Sequence, residues 1–171
     1  EGGRQWTDGG NGGAGIGIGT GKWQNENYII RNCVCDSCGH FGIFLEDQGI
    51  FSAAKDRNYP KGQIIANNVI RNGRNYAIGV RGGKNVLVTG NNVYENKGGI
   101  YTDYGAINIV FSNNLIQGCT DVGFNYGNEM SDVNGADYPC ENIVVTGNTF
   151  VDNATDIKKT HTPINAQEIN N

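Results

Sequence analysis

The chain has 171 residues, a formal net charge of −4, 37% hydrophobic residues and 27 glycines, with asparagine nearly as frequent. That length is one domain, and the absence of a basic stripe excludes nucleic acid as an expected partner. No apolar run approaches the ~18 residues of a membrane span, so no membrane contact is expected.

The first strand signal is Gly15-Ile-Gly-Ile-Gly. It enters a coil already in progress, without an evident cap of the kind stacked folds need. Because the chain opens with Glu1 rather than Met, it reads as a mature form or an excised piece, with upstream residues or a partner chain over that end. From there one pattern recurs: hydrophobic–x–Asn/Gly–Asn–x–hydrophobic. Its first position falls at Ile30, Ile65, Val88, Phe111 and Val145, spaced 35, 23, 23 and 34 residues apart. A repeat near two dozen residues, overlong in some copies, means one supersecondary unit stacked on itself with loops spliced in.

The copies align in columns. Three residues past the anchor stand Cys33, Asn68, Asn91, Asn114 and Asn148; five past it stand Cys35, Ile70, Val93, Ile116 and Phe150. A further strand then opens with a small and an apolar residue: Gly42-Ile43, Ala77-Ile78, Gly99-Ile100 and Gly123-Phe124, with Asp156-Ile157 keeping only the apolar one. Apolar residues two apart within short runs are strand periodicity. Asparagine and glycine tolerate the left-handed backbone that tight corners need. Asparagine repeated at one corner can form a ladder of amide hydrogen bonds. The two overlong copies place insertions at about 48–62 and 128–141.

Ile65-Ala-Asn-Asn-Val-Ile-Arg-Asn-Gly, Val88-Thr-Gly-Asn-Asn-Val-Tyr-Glu-Asn and Val145-Thr-Gly-Asn-Thr-Phe-Val-Asp-Asn carry a resemblance. The sequence resembles the right-handed parallel β-helix repeat of the pectate-lyase-like superfamily, from about Gly15 to about Ile157. The resemblance implies an all-β, single-stranded solenoid of five to six coils, one domain over residues 1–171. It says less about activity, since this scaffold hosts lyases, hydrolases, epimerases, adhesins and phage tailspikes. It also implies an extracellular or virion-exposed protein whose partner is a polysaccharide.

Cys33-Val-Cys35-Asp-Ser-Cys38-Gly-His40 has the spacing of a metal cluster. The register offers a plainer account. Cys35 fills a core column, while Cys33 and Cys38 replace corner residues, and free cysteine behaves as a small buried hydrophobe. Cys38 and Cys119 share a column three coils apart, ~14 Å at ~4.8 Å per coil, too far for a disulfide. Cys33 and Cys38 are a conceivable pair across one turn, and Cys140 has no evident partner. His40 reads as a polar turn residue; His161 is the other histidine.

If Ile43, Ile78, Ile100 and Phe124 point inward, then Phe44, Tyr101 and Asn125 point outward. Glu46, Arg81 and Asp103 then form an outward row of acid, base and acid. The plain reading of that row is a cross-strand ion-pair ladder. The functional reading is a trough about three coils wide, floored by Arg81, Tyr101 and Asp103 and walled by the two insertions. Its wall candidates are Asp56, Arg57, Tyr59, Glu129, Asp132, Asp137 and Tyr138, with Tyr104 close by. Rings that stack on sugar faces, beside groups that bond hydroxyls or uronates, suit an acidic glycan. Long loops in a compact fold are more often functional than idle; capping the solenoid or touching a neighbour is the alternative.

By the resemblance, a uronate lyase would use Arg81 as base and Ca2+ held by Glu46, Asp47 and Asp103. The family's Arg-x-Pro-x-x-Arg and Asp-Pro-His-Glu motifs are absent. A glycosidase would instead pair Glu46 with Asp103, near ~10 Å apart across two coils. The non-catalytic alternative is a shaft of a tailspike or adhesin, as a homotrimer or beside another β-helix domain, with exposed Phe44 and Tyr101 as the inter-subunit patch.

Overall fold

The structure is a computed structural model that describes residues 13–20, 25–47, 59–127, 130–131, 137–161 and 163–171. It is the parallel β-helix that the repeat predicts. Each coil contributes one strand to each of three parallel sheets. Sheet A stacks β1 (Ile16–Thr20), β4 (Ile43–Asp47), β7 (Tyr76–Arg81), β10 (Gly98–Asp103), β13 (Val122–Tyr126) and β18 (Ile157–Lys159). Sheet B stacks β2 (Ile29–Arg31), β5 (Ile64–Ala66), β8 (Lys84–Thr89), β11 (Ile107–Ser112), β16 (Glu141–Thr146) and β19 (Gln167–Ile169). Sheet C stacks β3 (Val34–Asp36), β6 (Val69–Arg71), β9 (Asn92–Tyr94), β12 (Leu115–Gln117) and β17 (Thr149–Val151). The anchor residues pair directly: Ile30 with Ile65, Ile65 with Val88, Val88 with Phe111, Phe111 with Val145.

The corners follow from residue chemistry. Between sheets B and C, Asn32, Asn67, Gly90, Asn113 and Gly147 all take φ between 54° and 63°. That is the left-handed region, cheapest for glycine and asparagine. The corner after sheet C uses Ser37, Asn72, Glu95, Gly118 and Asp152 in the same conformation, so there the register outweighs residue preference.

Asn68, Asn91, Asn114 and Asn148 turn inward beside the first corner. Each Nδ2 donates to the Oδ1 of the next asparagine at 2.9–3.0 Å. Each Oδ1 also accepts the backbone N–H of the preceding rung at 3.0–3.2 Å. Asn171 continues the ladder, 23 residues past Asn148, so the register outlasts the hydrophobic pattern. Cys33 ends the ladder at the other end, its N–H donating to Asn68 Oδ1 at 3.0 Å.

Apart from Thr102, between Val80 and Tyr126, the core columns of sheets A and B are apolar as far as the coil of β18 and β19. There Lys159 stacks on Tyr126 and Glu168 on Val145, and the two pair at 2.9 Å over the end of the core.

Both insertions rejoin sheet B where their expected bounds end. Lys61 already bridges Glu26 and Lys84 in parallel, and Glu141 opens β16. Most of the first insertion, 48–58, lies outside the described residues. In the second, β14 (Met130–Ser131) pairs antiparallel with β15 (Asp137–Tyr138). All five cysteines are free thiols, so Cys33 and Cys38 are not bonded.

Asn91→Ala removes an acceptor for two donors of Asn68 and a donor to the Ile65 carbonyl. With buried partners left unsatisfied, the variant is expected to lose about 2–4 kcal/mol of stability, read from urea titration.

Candidate functional site

Parallel pairing fixes the outer face of sheet A. Phe44, Gly79, Tyr101, Asn125 and Lys158 form one row across five coils. Glu46, Arg81 and Asp103 form the row two residues on.

This second row is an ion-pair ladder. Arg81 Nη1 bonds Glu46 Oε1 at 2.6 Å. Arg81 Nε lies 3.5 Å from Asp103 Oδ1, an ion pair without a hydrogen bond. Arg81 Nη2 bonds the Tyr104 hydroxyl, and the guanidinium sits 4.1 Å from the centre of that ring. The row was expected on the surface, and the structure corrects this. Asp103 is 1% exposed and Glu46 4%; the Tyr104 ring packs on their shared cation, and the Phe41 ring lies 5.8 Å from it. Phe44, also expected to be exposed, is 8% exposed and packs 5.8 Å from Phe41, so it offers no inter-subunit patch.

Two carboxylates share one guanidinium here. Burial pushes the Asp103 carboxyl up to about 7, against the opposing pull of Arg81 and the Tyr101 hydroxyl. Burial alone would lower Arg81, but Asp103 and Glu46 together hold it above its ordinary value. An arginine so paired is a poor base. Its cation also stands between Glu46 and Asp103, where a calcium ion bound by both would have to sit. Among the described residues, no three His, Cys, Asp or Glu side chains gather to hold a metal.

Beside this ladder, toward the start of the strands, runs an open groove of about 420 Å³. Its aromatic side is His40, Phe41, Tyr76 and Tyr101; its polar side is Arg81, Asn125, Lys158 and Thr160. Tyr76 and Tyr101 lie with ring centres 4.8 Å apart and planes 31° off parallel. Phe41 stacks on Tyr76 at 6.2 Å, and His40 meets Phe41 edge-on at 4.6 Å. Asn125 donates to the Tyr76 hydroxyl at 2.8 Å and accepts from Thr160 at 3.2 Å. Asn75 Nδ2 lies 3.2 Å from His40 Nδ1.

Glycines make this arrangement possible. A Cβ on Gly79 would stand 2.6 Å from the Phe41 ring, one on Gly98 2.3 Å from Tyr76, and one on Gly127 2.4 Å from Tyr101. With no Cβ there, each ring lies flat on bare backbone.

Of the expected site residues, Arg81, Tyr101 and Asn125 line the groove. Asp103, Glu46 and Tyr104 form the ladder under its edge, and Phe44 packs behind Phe41. Tyr59 is not in the lining; its ring lies 5.9 Å from Lys84 Nζ. Tyr138 sits in β15, also away from the groove. Asp56, Arg57, Glu129, Asp132 and the side chain of Asp137 lie outside the described residues. His40, Phe41, Asn75, Tyr76, Lys158 and Thr160 join the lining without having been expected there. Strand alternation counts Phe41 and Tyr76 as core, two residues before Ile43 and Ile78. The signal that finds them is a glycine on the same or the next coil, which opens the outer face to a ring.

Asp103 carries a pH consequence. Its carboxyl is held above the ordinary 3.8, at about 7, so the folded state keeps a proton that the unfolded chain has lost. Its contribution to stability is complete below the lower value and is lost as pH rises through the upper one. Urea titrations of wild type and Asp103→Asn across this window are expected to differ in slope, with the variant losing less stability as pH rises.

A family model described as a right handed beta helix region matches residues 54–167, about two thirds of the chain. No curated protein and no solved structure matches it. Strand order, sheet pairing and this match agree: the chain belongs to the right-handed β-helix family.

Proposed function

We propose that the chain binds an acidic polysaccharide along the groove on sheet A. The observation that carries this reading is the pair of half-buried rings, Tyr76 and Tyr101, side by side on the outer face. Partly exposed tyrosines give sugars an apolar face to stack on and a hydroxyl to bond. The rest of the lining agrees. Lys158 and Arg81 supply positive charge, Asn125 and Thr160 supply hydrogen bonds, and among the described residues no carboxylate lines the groove. The groove crosses successive coils, which suits an extended polymer.

The geometry favours holding a glycan over cutting it. Glu46 and Asp103 are committed to Arg81, and both are buried. A lyase or hydrolase would need one of them released, or another group of the groove recruited. An extracellular or surface-exposed setting, where such polymers occur, is part of the same proposal.

Titration calorimetry against polygalacturonate, alginate and neutral dextran tests it. Binding is expected for at least one acidic polymer and not for dextran, and to weaken with salt. Tyr101→Ala and Tyr76→Ala should each weaken it roughly tenfold, about 1.4 kcal/mol. Tyr94→Ala on sheet C should leave it unchanged. Wild-type affinity in both groove variants would sink the proposal. Release of reducing ends or unsaturated uronates in the same mixtures would move the reading from binding to catalysis.

A second reading rests on sheet B. Ile29, Ile64, Leu87, Val110 and Val144 make one aliphatic row along its outer face, with Ile29 58% exposed. Such a row suits lateral packing on a copy of this chain or a neighbouring β-helix domain, as in a structural shaft. Light scattering over a range of concentrations tests it; a monomer throughout counts against self-association.

A further inference from the structure

The groove makes no use of the first coil's thiols. Cys35 lies in β3 and fills the core column continued by Ile70 and Val93, at 6% exposure. Ser37 then turns the chain with φ of 58°. That corner brings Cys38 back to the side of Cys35, its thiol donating to the Asp36 carbonyl at 4.0 Å. Both sulfurs stand 3.0 Å from the point where a Cβ on Gly15 would sit, so they share one niche under the start of β1. The Cys33 thiol is engaged elsewhere, donating to the Arg31 carbonyl at 3.4 Å. Cys119 is three coils away in the Cys38 column, and Cys140 precedes β16.

We infer that Cys35 and Cys38 form a dithiol that oxidises to an intramolecular disulfide, clipping the corner of the first coil beneath β1. Thiol–disulfide exchange with oxidised glutathione is the balanced route. Cys38, the more exposed of the two, loses its proton and attacks one glutathione sulfur. The glutathione S–S bond breaks, one glutathione thiolate leaves and takes up a proton, and a mixed disulfide remains on Cys38. Cys35 then loses its proton and attacks Cys38 Sγ, which expels the second glutathione thiolate. Two protein thiols become one disulfide as one glutathione disulfide becomes two thiols.

The surroundings make the reaction slow but not forbidden. Burial pushes the Cys35 thiol up to about 11, with the neighbouring Cys38 and Cys33 adding to the rise. Burial raises Cys38 as well, and a backbone hydrogen bond from Gly15 works against it. The rate should therefore increase with pH, since the thiolate is the nucleophile.

The test is a thiol map of the full chain after incubation with oxidised glutathione at mildly alkaline pH. Free thiols are then alkylated with N-ethylmaleimide in denaturant, and the digest is read by mass spectrometry without reduction. The peptide holding Cys33, Cys35 and Cys38 is expected to have lost two hydrogens and to carry one maleimide, on Cys33. Cys119 and Cys140 should each carry one. Cys33→Ser should form the same bond, and Cys35→Ser should stop at a glutathione adduct on Cys38. Three maleimides on the wild-type peptide, a bond that includes Cys33, or loss of the bond in Cys33→Ser would overturn the inference.

Discussion

The buried amide ladder is the interaction on which the rest of the molecule depends. A parallel solenoid has to fold its backbone through the same sharp corner in every coil, and the polar groups freed there point away from water. An asparagine at one fixed position meets that demand repeatedly. Its amide bonds the next amide, a backbone N–H and a backbone carbonyl at once. Because a rung works only directly above another rung, the ladder also sets the register. Register in turn places Ile65 on Val88 in the core and Tyr101 beside Gly79 on the outer face. One hydrogen-bond column thereby positions residues on the far side of the coil that it never touches.

Aromatic side chains on the outer face of sheet A depend on that alignment. A ring cannot lie flat over a neighbouring Cβ, so Tyr101 and Phe41 need glycine beside them. The same stacking puts two carboxylates on one arginine. In open water such a row would contribute little. Against the ring of Tyr104 it is buried, and burial holds the Asp103 carboxyl at about 7 instead of its ordinary 3.8. The groove thus carries one buried, paired cation, Arg81, at the edge beside the ladder, and an exposed one, Lys158, on its polar side.

Much of this was legible in the sequence. Equal spacing of Val88 and Phe111 from their predecessors sets the coil length, and the asparagine column marks the corner. Arg81 between Glu46 and Asp103 was readable as a ladder, because alternation and coil spacing suffice for a row on one face. Burial of that row was not readable, since it depends on where the rings of Tyr101 and Tyr104 fall. Phe41 and Tyr76 escaped for a related reason. Alternation assigns them to the core, but Phe41 precedes β4 and Tyr76 opens β7, and both rings line the groove on the outer face. Asn171 was missed because its coil lacks the apolar pattern that marked the others.

The charged pair of Lys159 and Glu168 bears on how the molecule behaves in company. A solenoid whose end coil exposes a greasy cross-section and free strand edges invites another to stack on it, and so on into a filament. Here an incoming coil would have to strip water from a lysine and a glutamate lying across the mouth of the core. Desolvating such a pair carries a cost that an incoming coil would have to offset with partners of its own. A coil that continues the stack past β18 and β19 therefore has to bring polar partners for this lysine and glutamate, not only an apolar face.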